Sequence, residues 1–503
     1  MAGVSPLAIG NAAAVLLRDV PEVSVEEFRA TLFDEIATGG RISALLGTGR
    51  DAGRLEILAV VARPAQQRLG LLSTVVAERY TSLTPDCPQL ANFEREIAEQ
   101  WGVRPEGHPW LKPLRLHESF RESFSAGAAA PIPPADMTFF AVEGEEVHEV
   151  AVGPVHAGII EPGHFRFHCH GETVLHLEIS LGYQHRGVET ALVGGPDKRT
   201  IHYMETVAGD TTAGHALAYA RAVEALAGCE PPAGAEAQRS VALELERLAN
   251  HAGDLGALAG DVGYLPTASF CGRLRGEFLN LTALVCGSRL GRGWIRPGGA
   301  AFDIGSRAGE MRSRLAAALE DLRRSASLLW NTSTVRARFE ETGTLTPEVC
   351  RMLGLVGPVA RASGIAEDVR RDFPCGVDRR VPVRVANWQT GDVFARAQVR
   401  WLEAQESARL VDTQLAGIAA GPVREDPGAL QPVAIAVSLV EGWRGEICHV
   451  ATTDERGRFA RYKIVDPSFH NWPALAYAMR LQSISDFPLC NKSFNLSYCG
   501  HDL

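Results

Sequence analysis

The sequence predicts an α+β protein in which a small domain of mixed helix and strand precedes a larger, mainly helical domain with peripheral β-hairpins. Patterns typical of helix and of strand alternate within residues 1–121, and a run rich in alanine, glycine and proline follows at 122–135. From about residue 197 onward, apolar residues recur with the 3.6-residue period of an α-helix. We therefore expect one domain at 1–121, a linker at 122–135 and a second domain at 136–503.

The first domain is predicted to combine helices with a strand. Val25 to Ala37 has the spacing of a short amphipathic helix, and Leu55 to Val61 has the near-continuous apolar character of a buried strand. Arg68 to Tyr80 is predicted to form another helix. The run from Glu122 to Ala135 can neither sustain a helix nor bury a core, because it consists largely of small residues and prolines.

The second domain is predicted to begin with strands and to continue as a helical bundle. Its clearest helix follows Pro231 and Pro232 and places Val241, Leu245 and Leu248 on one face. The strands predicted before and after the bundle are Glu146 to Val152, Phe165 to Cys169, Thr173 to Ser180, Val433 to Val440 and Arg461 to Val465. The further helices are expected at 209–227, 267–290, 305–330, 391–417 and 472–482, before an irregular tail.

Composition limits the possible functions. Hydrophobic residues make up 46% and charged residues 22% of the chain, and the net charge of −10 is spread without a basic block, which argues against a nucleic-acid partner. No run of eighteen strongly apolar residues predicts a membrane-spanning helix. Met1 to Leu17 lacks the basic start of a secretory signal, so we expect mature sequence. The ten cysteines lie at least nine positions apart, as expected for reduced thiols.

Three segments of the first domain carry a family signature. They are Thr81-Ser82-Leu83-Thr84-Pro85, Phe93-Glu94-Arg95-Glu96-Ile97 and Gly107-His108-Pro109. With them, residues 1–121 resemble the 30 kDa-type subunit of respiratory complex I. The resemblance implies a domain without a cofactor, whose charged segment docks onto the neighbouring large subunit. A solvated amphipathic helix is the alternative interpretation of that segment.

The remainder of the chain carries a second series of family segments. They are Gly153-Pro154-Val155-His156, Gly182-Tyr183-Gln184-His185-Arg186-Gly187-Val188-Glu189, His215-Ala216-Leu217-Ala218-Tyr219, Leu245-Glu246-Arg247-Leu248, Arg361-Ala362-Ser363-Gly364, Gly391-Asp392-Val393 and Glu441-Gly442-Trp443-Arg444-Gly445. With them, this part is similar to the 49 kDa-type subunit of complex I and to the large subunits of group 4 membrane-bound nickel–iron hydrogenases. A 30 kDa-type domain fused to such a subunit is typical of the formate hydrogenlyase and hydrogenase-4 branch.

The chain departs from the hydrogenases at the metal ligands. A nickel–iron centre is held by thiolates from two Cys-x-x-Cys pairs, because soft sulfur binds these metals. The resemblance places the first pair on Ala208 and Thr211 and the second on Ser497 and Gly500, none of which is a thiol. No two cysteines stand at that spacing, so we expect a relative without a nickel–iron centre and without hydrogenase activity.

Two rearranged metal sites are alternatives. A hydrogenase rebuilt around Cys490 and Cys499 would still contain nickel. Cys490, Cys499 and His501 could instead hold zinc, although zinc normally takes four ligands. We expect no metal at either place.

Arg444, in the Glu441 to Gly445 segment, corresponds to the arginine that faces the iron ligands in the hydrogenases. Without the metal it is expected to be a buried structural cation paired with a carboxylate, because an unpaired buried charge is costly. Arg444, Glu441 and His156 are predicted to line or support the former cavity. That cavity either persists or is filled by side chains, and the sequence leaves both possibilities open.

A quinone is the second candidate ligand. In complex I, this subunit places a histidine of its first hairpin and a tyrosine at the quinone head group, both able to donate hydrogen bonds. The tyrosine position falls near Gly209 here, so that donor is missing. His164, on a hairpin four residues longer, is the candidate for the histidine, and Asp210 is the candidate second donor. A hairpin histidine with only a local hydrogen bond is the competing interpretation.

The resemblance implies a core peripheral-arm subunit of a membrane-associated respiratory or energy-converting redox complex. Expected partners are a small iron–sulfur subunit, a ferredoxin-like iron–sulfur subunit and membrane subunits of antiporter and complex I type. Iron–sulfur clusters would belong to the partners, and the complex would lie at the cytoplasmic side of the inner membrane. The alternatives are a quinone-reducing subunit with altered donors and a non-catalytic scaffold. No Gly-x-Gly-x-x-Gly segment after a strand predicts dinucleotide binding.

Overall fold

The computed structural model describes residues 4–50, 53–117, 119–120, 138–156, 160–418 and 421–503. The predicted linker at 122–135 lies outside these residues. Within them, helices and strands combine as an α+β fold, which confirms the predicted class.

The first domain is built around a mixed sheet in the order β1-β6-β5-β4, with β3 parallel to β6. Helix α1 begins with a capping box, because Ser24 accepts from the amide of Glu27 while the Glu27 carboxylate accepts from the amide of Ser24. The elements of this part are β1 (Leu7–Ile9), β2 (Ala13–Leu16), β3 (Glu22–Val23), α1 (Val25–Ala37), β4 (Arg41–Gly49), β5 (Leu55–Arg63), β6 (Arg68–Val76), β7 (Arg79–Thr81), α2 (Ala91–Trp101) and β8 (Arg104–Glu106).

The helix predicted at 68–80 is wrong, since most of this segment is strand β6. Leu69, Leu71 and Leu72 are fully buried, on both faces of the sheet. A strand covered on both faces loses the alternation of apolar and polar residues, so its periodicity no longer distinguishes it from a buried helix. The predictions of α1 and β5 are confirmed.

The second domain opens with a three-stranded antiparallel sheet in the order β11-β10-β9 and continues as a bundle. Helix α6 is central, because its apolar residues form one core with α5, α7, α8 and α13. The elements are β9 (Val147–Val152), β10 (His164–His170), β11 (Thr173–Ser180), α3 (Val188–Ala191), α4 (Thr200–Met204), α5 (Thr212–Ala227), α6 (Ala233–Asp261), α7 (Leu265–Cys286), β12 (Ile295–Arg296), β13 (Gly299–Ala300), α8 (Ala308–Asn331), α9 (Ser333–Phe339), α10 (Pro347–Leu353), α11 (Gly357–Ala362), α12 (Val369–Asp372) and α13 (Val393–Ala416).

A second antiparallel sheet separates the bundle from the first domain. Its order is β16-β15-β14-β2, so the edge strand Ala13–Leu16 comes from the beginning of the chain. Ala436 and Ile447 contribute to the bundle core, whereas Val437 and Val450 contribute to the core of the first domain. The remaining elements are β14 (Ala434–Gly442), β15 (Gly445–Thr453), β16 (Phe459–Val465), α14 (Pro467–Ala478), α15 (Phe487–Phe494) and α16 (Tyr498–His501).

Strand β15 was not predicted from the sequence, and helices α15 and α16 form where an irregular tail was expected. Every residue of β14 and β15 is buried. Asp502 and Leu503 are also buried, at 0% and 1% exposure. The tail is therefore part of the core. None of the helices in the described part of the chain has the length and apolar character needed to cross a membrane.

The signature segment of α2 contacts the second domain through a buried ion pair. The Glu96 carboxylate accepts from Lys463 Nζ on β16 at 2.7 Å, and Phe93 lies 4.9 Å from the Phe469 ring. Lys463 also donates to Glu189, at 2.9 Å. The resemblance implies that this segment docks onto the large subunit. Glu96 and Glu189, the latter in the second domain, share the ammonium group of Lys463, so the segment contacts the second domain through a buried charge cluster.

Candidate functional site

The two segments to which the resemblance assigns the hydrogenase ligand positions meet in space. Arg186 donates from Nη2 to the Val207 carbonyl at 2.8 Å and to the Cys499 carbonyl at 3.3 Å. Arg444 binds the Asp210 carboxylate and donates from Nε to the Asn495 carbonyl at 2.5 Å. We call this place the junction; it comprises Ala208, Asp210, Thr211, Trp443, Arg444, Ser497 and Gly500.

The side chains at the four ligand positions supply no thiolate. Ala208 offers only a buried methyl group. Thr211 Oγ1 accepts from Trp443 Nε1 at 3.1 Å and from Arg444 Nη1 at 3.3 Å. Ser497 Oγ accepts from the Gly500 amide at 2.9 Å. These donors do not fit a nickel–iron centre, since its metals require soft sulfur ligands.

Gly500 shows in addition that a cysteine would not be accommodated in this geometry. A Cβ atom at Gly500 would lie 2.7 Å from Cγ and 2.8 Å from Oδ2 of Asp466. Asp466 is fully buried and caps helix α14, where Oδ1 accepts from the Ser468 amide at 2.8 Å. The carboxylate therefore occupies the space that a ligand side chain at position 500 would need.

The neighbouring thiols have other partners. Cys499 Sγ lies 3.4 Å from Ser497 Oγ, and Cys490 Sγ lies 4.0 Å from Arg396 Nη2. Burial raises the pKa of both thiols to about 11. His501, the third candidate zinc ligand, pairs with Asp502 at 2.8 Å. In the described part of the chain, no three His, Cys, Asp or Glu side chains form a group that could hold a metal ion.

Arg444 is held by a carboxylate at the junction. Its Nη1 and Nη2 donate to the two oxygens of Asp210 at 2.6 and 2.8 Å, and its guanidinium lies 3.9 Å from the centre of a Trp443 ring. Burial alone would lower the pKa of Arg444, yet the Asp210 carboxylate keeps it above the ordinary value. Arg444 thus has the structural pairing that its sequence position predicts.

The space beside Asp210 is small. A cavity of ≈ 20 Å³ lies there, lined among others by Ala213 and Glu246, and it has room for about one water molecule. Trp443 Nε1 donates to the Asp210 carbonyl at 3.0 Å, and Arg444 binds the Asp210 carboxylate. Both possibilities for the former cavity, that it persists or that side chains fill it, stay predictions.

Glu246, which has no functional role predicted from the sequence beyond its place in the segment Leu245 to Leu248, is a candidate functional residue. Its carboxylate accepts from the amides of Ala213 at 2.6 Å and Gly214 at 3.1 Å, at the start of α5. Burial raises the pKa of Glu246 to about 8, although those two amides favour the charged form. A carboxyl with this pKa exchanges a proton near neutral pH. A glutamate among the apolar residues of α6 was the available signal.

A chain of four buried side chains runs from the junction into the core. His215 Nε2 lies 3.1 Å from Asp466 Oδ2, and His215 Nδ1 lies 3.1 Å from His449 Nε2. His449 Nδ1 lies 2.9 Å from the Tyr462 hydroxyl. Burial holds the pKa of His449 well below its usual value, so this imidazole is neutral. We assign the donors from the network: the Tyr462 hydroxyl donates to His449 Nδ1, His449 Nε2 donates to His215 Nδ1, and His215 Nε2 donates to Asp466 Oδ2. With this assignment each neutral imidazole has one donating and one accepting nitrogen.

Glu441 lies behind the junction and not in it. Its carboxylate accepts from Arg361 Nη1 at 2.9 Å and from the Val369 amide at 2.9 Å, and burial raises its pKa to about 7. Arg247 donates to the carbonyls of Glu441 and Gly442 at 2.6 and 2.9 Å. These contacts fix the end of β14, directly before the turn that contains Trp443 and Arg444.

The structure does not bring the candidate quinone donors together. His164 Nδ1 lies 2.7 Å from the Val152 carbonyl, and its ring lies 5.6 Å from Phe139. Asp210 instead pairs with Arg444, and no hydrogen bond joins it to His164 among the described residues. His156 stacks on Phe165 at 6.0 Å, and neither of its ring nitrogens has a hydrogen-bond partner in the described structure. His164 and Asp210 remain predictions as a donor pair.

Comparison with known proteins gives the same two-part organisation. Residues 20–128 match the family model of the respiratory-chain NADH dehydrogenase 30 Kd subunit, and residues 261–434 match that of the 49 Kd subunit. Formate hydrogenlyase subunit 5 of Escherichia coli is 28% identical over 84% of this chain and 77% of its own length. The carbon monoxide-induced hydrogenase of Rhodospirillum rubrum is 31% identical over 69% of this chain and 97% of its own length.

A solved structure shares the fold. A chain of the membrane-bound sulfane sulfur reductase, an archaeal respiratory membrane complex, superposes with a TM-score of 0.66 at 22% identity, over 71% of this chain and 99% of that one. Together the matches define the class as a complex I-like subunit of the energy-converting type. The chain belongs to the family formed by the complex I 49 kDa subunit and the group 4 hydrogenase large subunits, with a 30 kDa-type domain fused in front.

Proposed function

We propose that this protein is the core peripheral-arm subunit of a membrane-associated redox complex that operates without a nickel–iron centre. The junction supports the proposal, because Arg444 binds Asp210 and Thr211 at a place to which the resemblance assigns a thiolate ligand. A small iron–sulfur subunit and a ferredoxin-like subunit would deliver electrons, and antiporter-type and complex I-type membrane subunits would lie below, at the cytoplasmic side of the membrane.

The chemistry available to the junction is proton exchange. Asp210 is 34% exposed and Glu246, beside the same small cavity, has a pKa of about 8. A proton taken up or released by Glu246 changes the charge next to the Arg444–Asp210 pair. A reduced iron–sulfur cluster in a neighbouring subunit would change the electrostatic potential at the same pair. We assign the chain a coupling role of this kind. Quinone reduction through His164 is not favoured by a specific contact.

Metal analysis of the intact purified complex tests this proposal. We expect less than about 0.1 nickel per chain by inductively coupled plasma mass spectrometry, and no hydrogen uptake or evolution with a viologen dye, because the junction offers nickel no thiolate. A nickel–iron hydrogenase prepared in parallel controls for metal loss. Stoichiometric nickel that copurifies with hydrogenase activity would overturn the proposal.

Replacing Glu246 with glutamine tests the proton-exchange role. A half-buried carboxyl whose pKa is raised contributes stability that is complete below its unfolded pKa, near 4.5, and is lost as the pH rises through about 8. The wild-type protein should therefore lose on the order of 2 kcal/mol more than Glu246→Gln between pH 5 and pH 9, allowing for partial solvent screening. Denaturant unfolding across this pH range measures the difference.

The matched control for that experiment is Glu26→Gln, at an exposed position on α1. Its unfolding free energy should follow the wild-type pH profile throughout. Parallel profiles for wild type and Glu246→Gln would show that Glu246 does not titrate in this range and would remove it from the proposed role.

A further inference from the structure

A cavity of ≈ 420 Å³ lies away from the junction, at the seam between the two domains. Helix α2 and the loop at 109–116 form one side, and β11 with α14 forms the other. This volume is within the range of pockets that hold small organic ligands. Neither the family resemblance nor the proposed function assigns an occupant to it.

The walls of this seam cavity are mostly apolar and aromatic. Trp110 and Phe140 meet edge to face with their ring centres 6.0 Å apart, and Phe140 also lies 4.4 Å from the ring of His176. Both aromatic side chains are exposed, at 39% and 42%. Trp472 of α14 lines the same space. Such walls offer a flat or flexible apolar molecule a large contact area.

One part of the wall is polar and carries charge. Lys112 forms an ion pair with Glu178, so the Glu178 carboxylate balances the positive charge of Lys112. Arg95 instead donates from Nε to the Lys112 carbonyl and from Nη2 to the Pro113 carbonyl, each at 2.9 Å. No carboxylate forms an ion pair with Arg95 in the described part of the chain. Burial lowers the pKa of Arg95 to about 10, so the guanidinium stays protonated at neutral pH.

Arg95 therefore contributes to a largely apolar cavity a positive charge that no direct ion pair neutralises, although the carboxylates of Glu99 and Glu178 lie near enough to favour its charged form. Buried arginines normally contact a carboxylate directly, and Arg95 has no such contact in the described part of the chain. Its nitrogens have five N–H groups, and the described contacts, including a 3.3 Å bond to Asn92 Oδ1, use three of them. The guanidinium can thus still donate to an incoming oxyanion while it holds the loop.

We propose that the seam cavity binds a small amphiphilic monoanion, with its carboxylate, sulfonate or phosphate group at Arg95 and its apolar body against Trp110 and Phe140. The anion would give Arg95 the direct ionic partner that it lacks, and the aromatic walls supply the apolar contact area. This site is independent of the proposed function, since no residue of the junction lines it. Because β11 and His501 also line it, an occupant would contact both domains and the terminal segment.

Two fluorescent probes of similar shape test the charge preference on the unmodified full-length protein. The anionic probe is 8-anilinonaphthalene-1-sulfonate, and the neutral one is N-phenyl-1-naphthylamine. We expect one saturable site that binds the anionic probe at least tenfold more tightly than the neutral one. Competition by 1-naphthoate and by decanoate then distinguishes a planar aromatic acid from a fatty acid. Equal binding of the two probes, or tighter binding of the neutral one, overturns the proposal.

Substitutions locate the site. Arg95→Gln should weaken the anionic probe at least tenfold and leave the neutral probe within twofold, whereas Arg104→Gln, an exposed arginine outside the cavity, should change neither. Ala476→Trp, which fills the cavity from α14, should block both probes and serves as the second variant if Arg95→Gln does not fold. Unaltered binding of the anionic probe to Arg95→Gln, or of both probes to Ala476→Trp, would refute the assignment.

Discussion

Replacing Arg361 with methionine is expected to lower the free energy of unfolding by about 3–5 kcal/mol. Arg361 is fully buried and donates to Glu403 at 2.9 Å and to Glu441 at 2.9 Å. Removing the guanidinium leaves these two carboxylates without their shared cation in the interior, where an uncompensated charge is most costly. Urea-induced unfolding followed by circular dichroism at pH 7 measures the loss.

The loss should depend on pH and on the partner. At pH 5 Glu441, whose pKa is about 7, is protonated, so Arg361→Met should be less destabilising there than at pH 8. Adding Glu403→Gln to Arg361→Met should recover part of the loss, since it removes a buried carboxylate that would otherwise have only His251 and Arg247 as partners. Arg324→Met, in a surface pair with Glu320, is the control and should change stability by less than about 0.5 kcal/mol. A loss at Arg361 equal to that of the control would contradict the buried-pair argument.

Deleting residues 500–503 is expected to be as severe, on the order of 5 kcal/mol. Asp502 Oδ2 accepts from the amides of Gly182 at 2.9 Å and Gln184 at 3.1 Å, and the His501 carbonyl accepts from Arg115. Leu503 is 1% exposed in the bundle core. The deletion leaves buried donors unpaired and opens a cavity at the same time. The midpoint of denaturant unfolding gives the magnitude.

Two single substitutions separate the hydrogen-bond contribution of the tail from its packing contribution. Asp502→Asn keeps the size of the side chain and should cost about 1–3 kcal/mol, through the weaker bonds to the two amides. Leu503→Ala should cost about 2–5 kcal/mol through the cavity it creates. If the shortened chain unfolds at the wild-type midpoint, the tail does not support the core in solution.

Most helices and several strands of the fold were predictable from the sequence. Val25–Ala37 and the long helices of the bundle show the 3.6-residue period, and β5, β9, β10, β11, β14 and β16 form where strands were predicted. Strand β6 was mistaken for a helix, because a strand buried on both faces has no alternating pattern. Strand β15 was not predicted, because buried polar residues such as Glu446 and His449 interrupt its apolar run. The tail was misjudged because its burial depends on contacts with residues more than three hundred positions away, such as Gly182.

For the site, the sequence predicted which chain positions come together but not which side chains bind one another there. The resemblance locates Ala208 and Gly500, and the structure brings the segments that contain them together. Their partners could not be foreseen, because Asp466 meets His215 across 251 positions and no local pattern links the two. Glu246 likewise acquires its character from burial against the start of α5. Which carboxylates meet which cations is decided by packing.

The strand Ala13–Leu16, which hydrogen-bonds to β14, has a consequence for how the gene could be divided. If the two halves were translated as separate polypeptides cut at the linker, the larger one would display a bare sheet edge until the smaller one donated its strand in trans. In the fused chain both halves are made in one polypeptide, so the period with an unpaired sheet edge does not depend on a second chain arriving. The fusion also fixes the two halves at equal copy number, so neither half accumulates without the other.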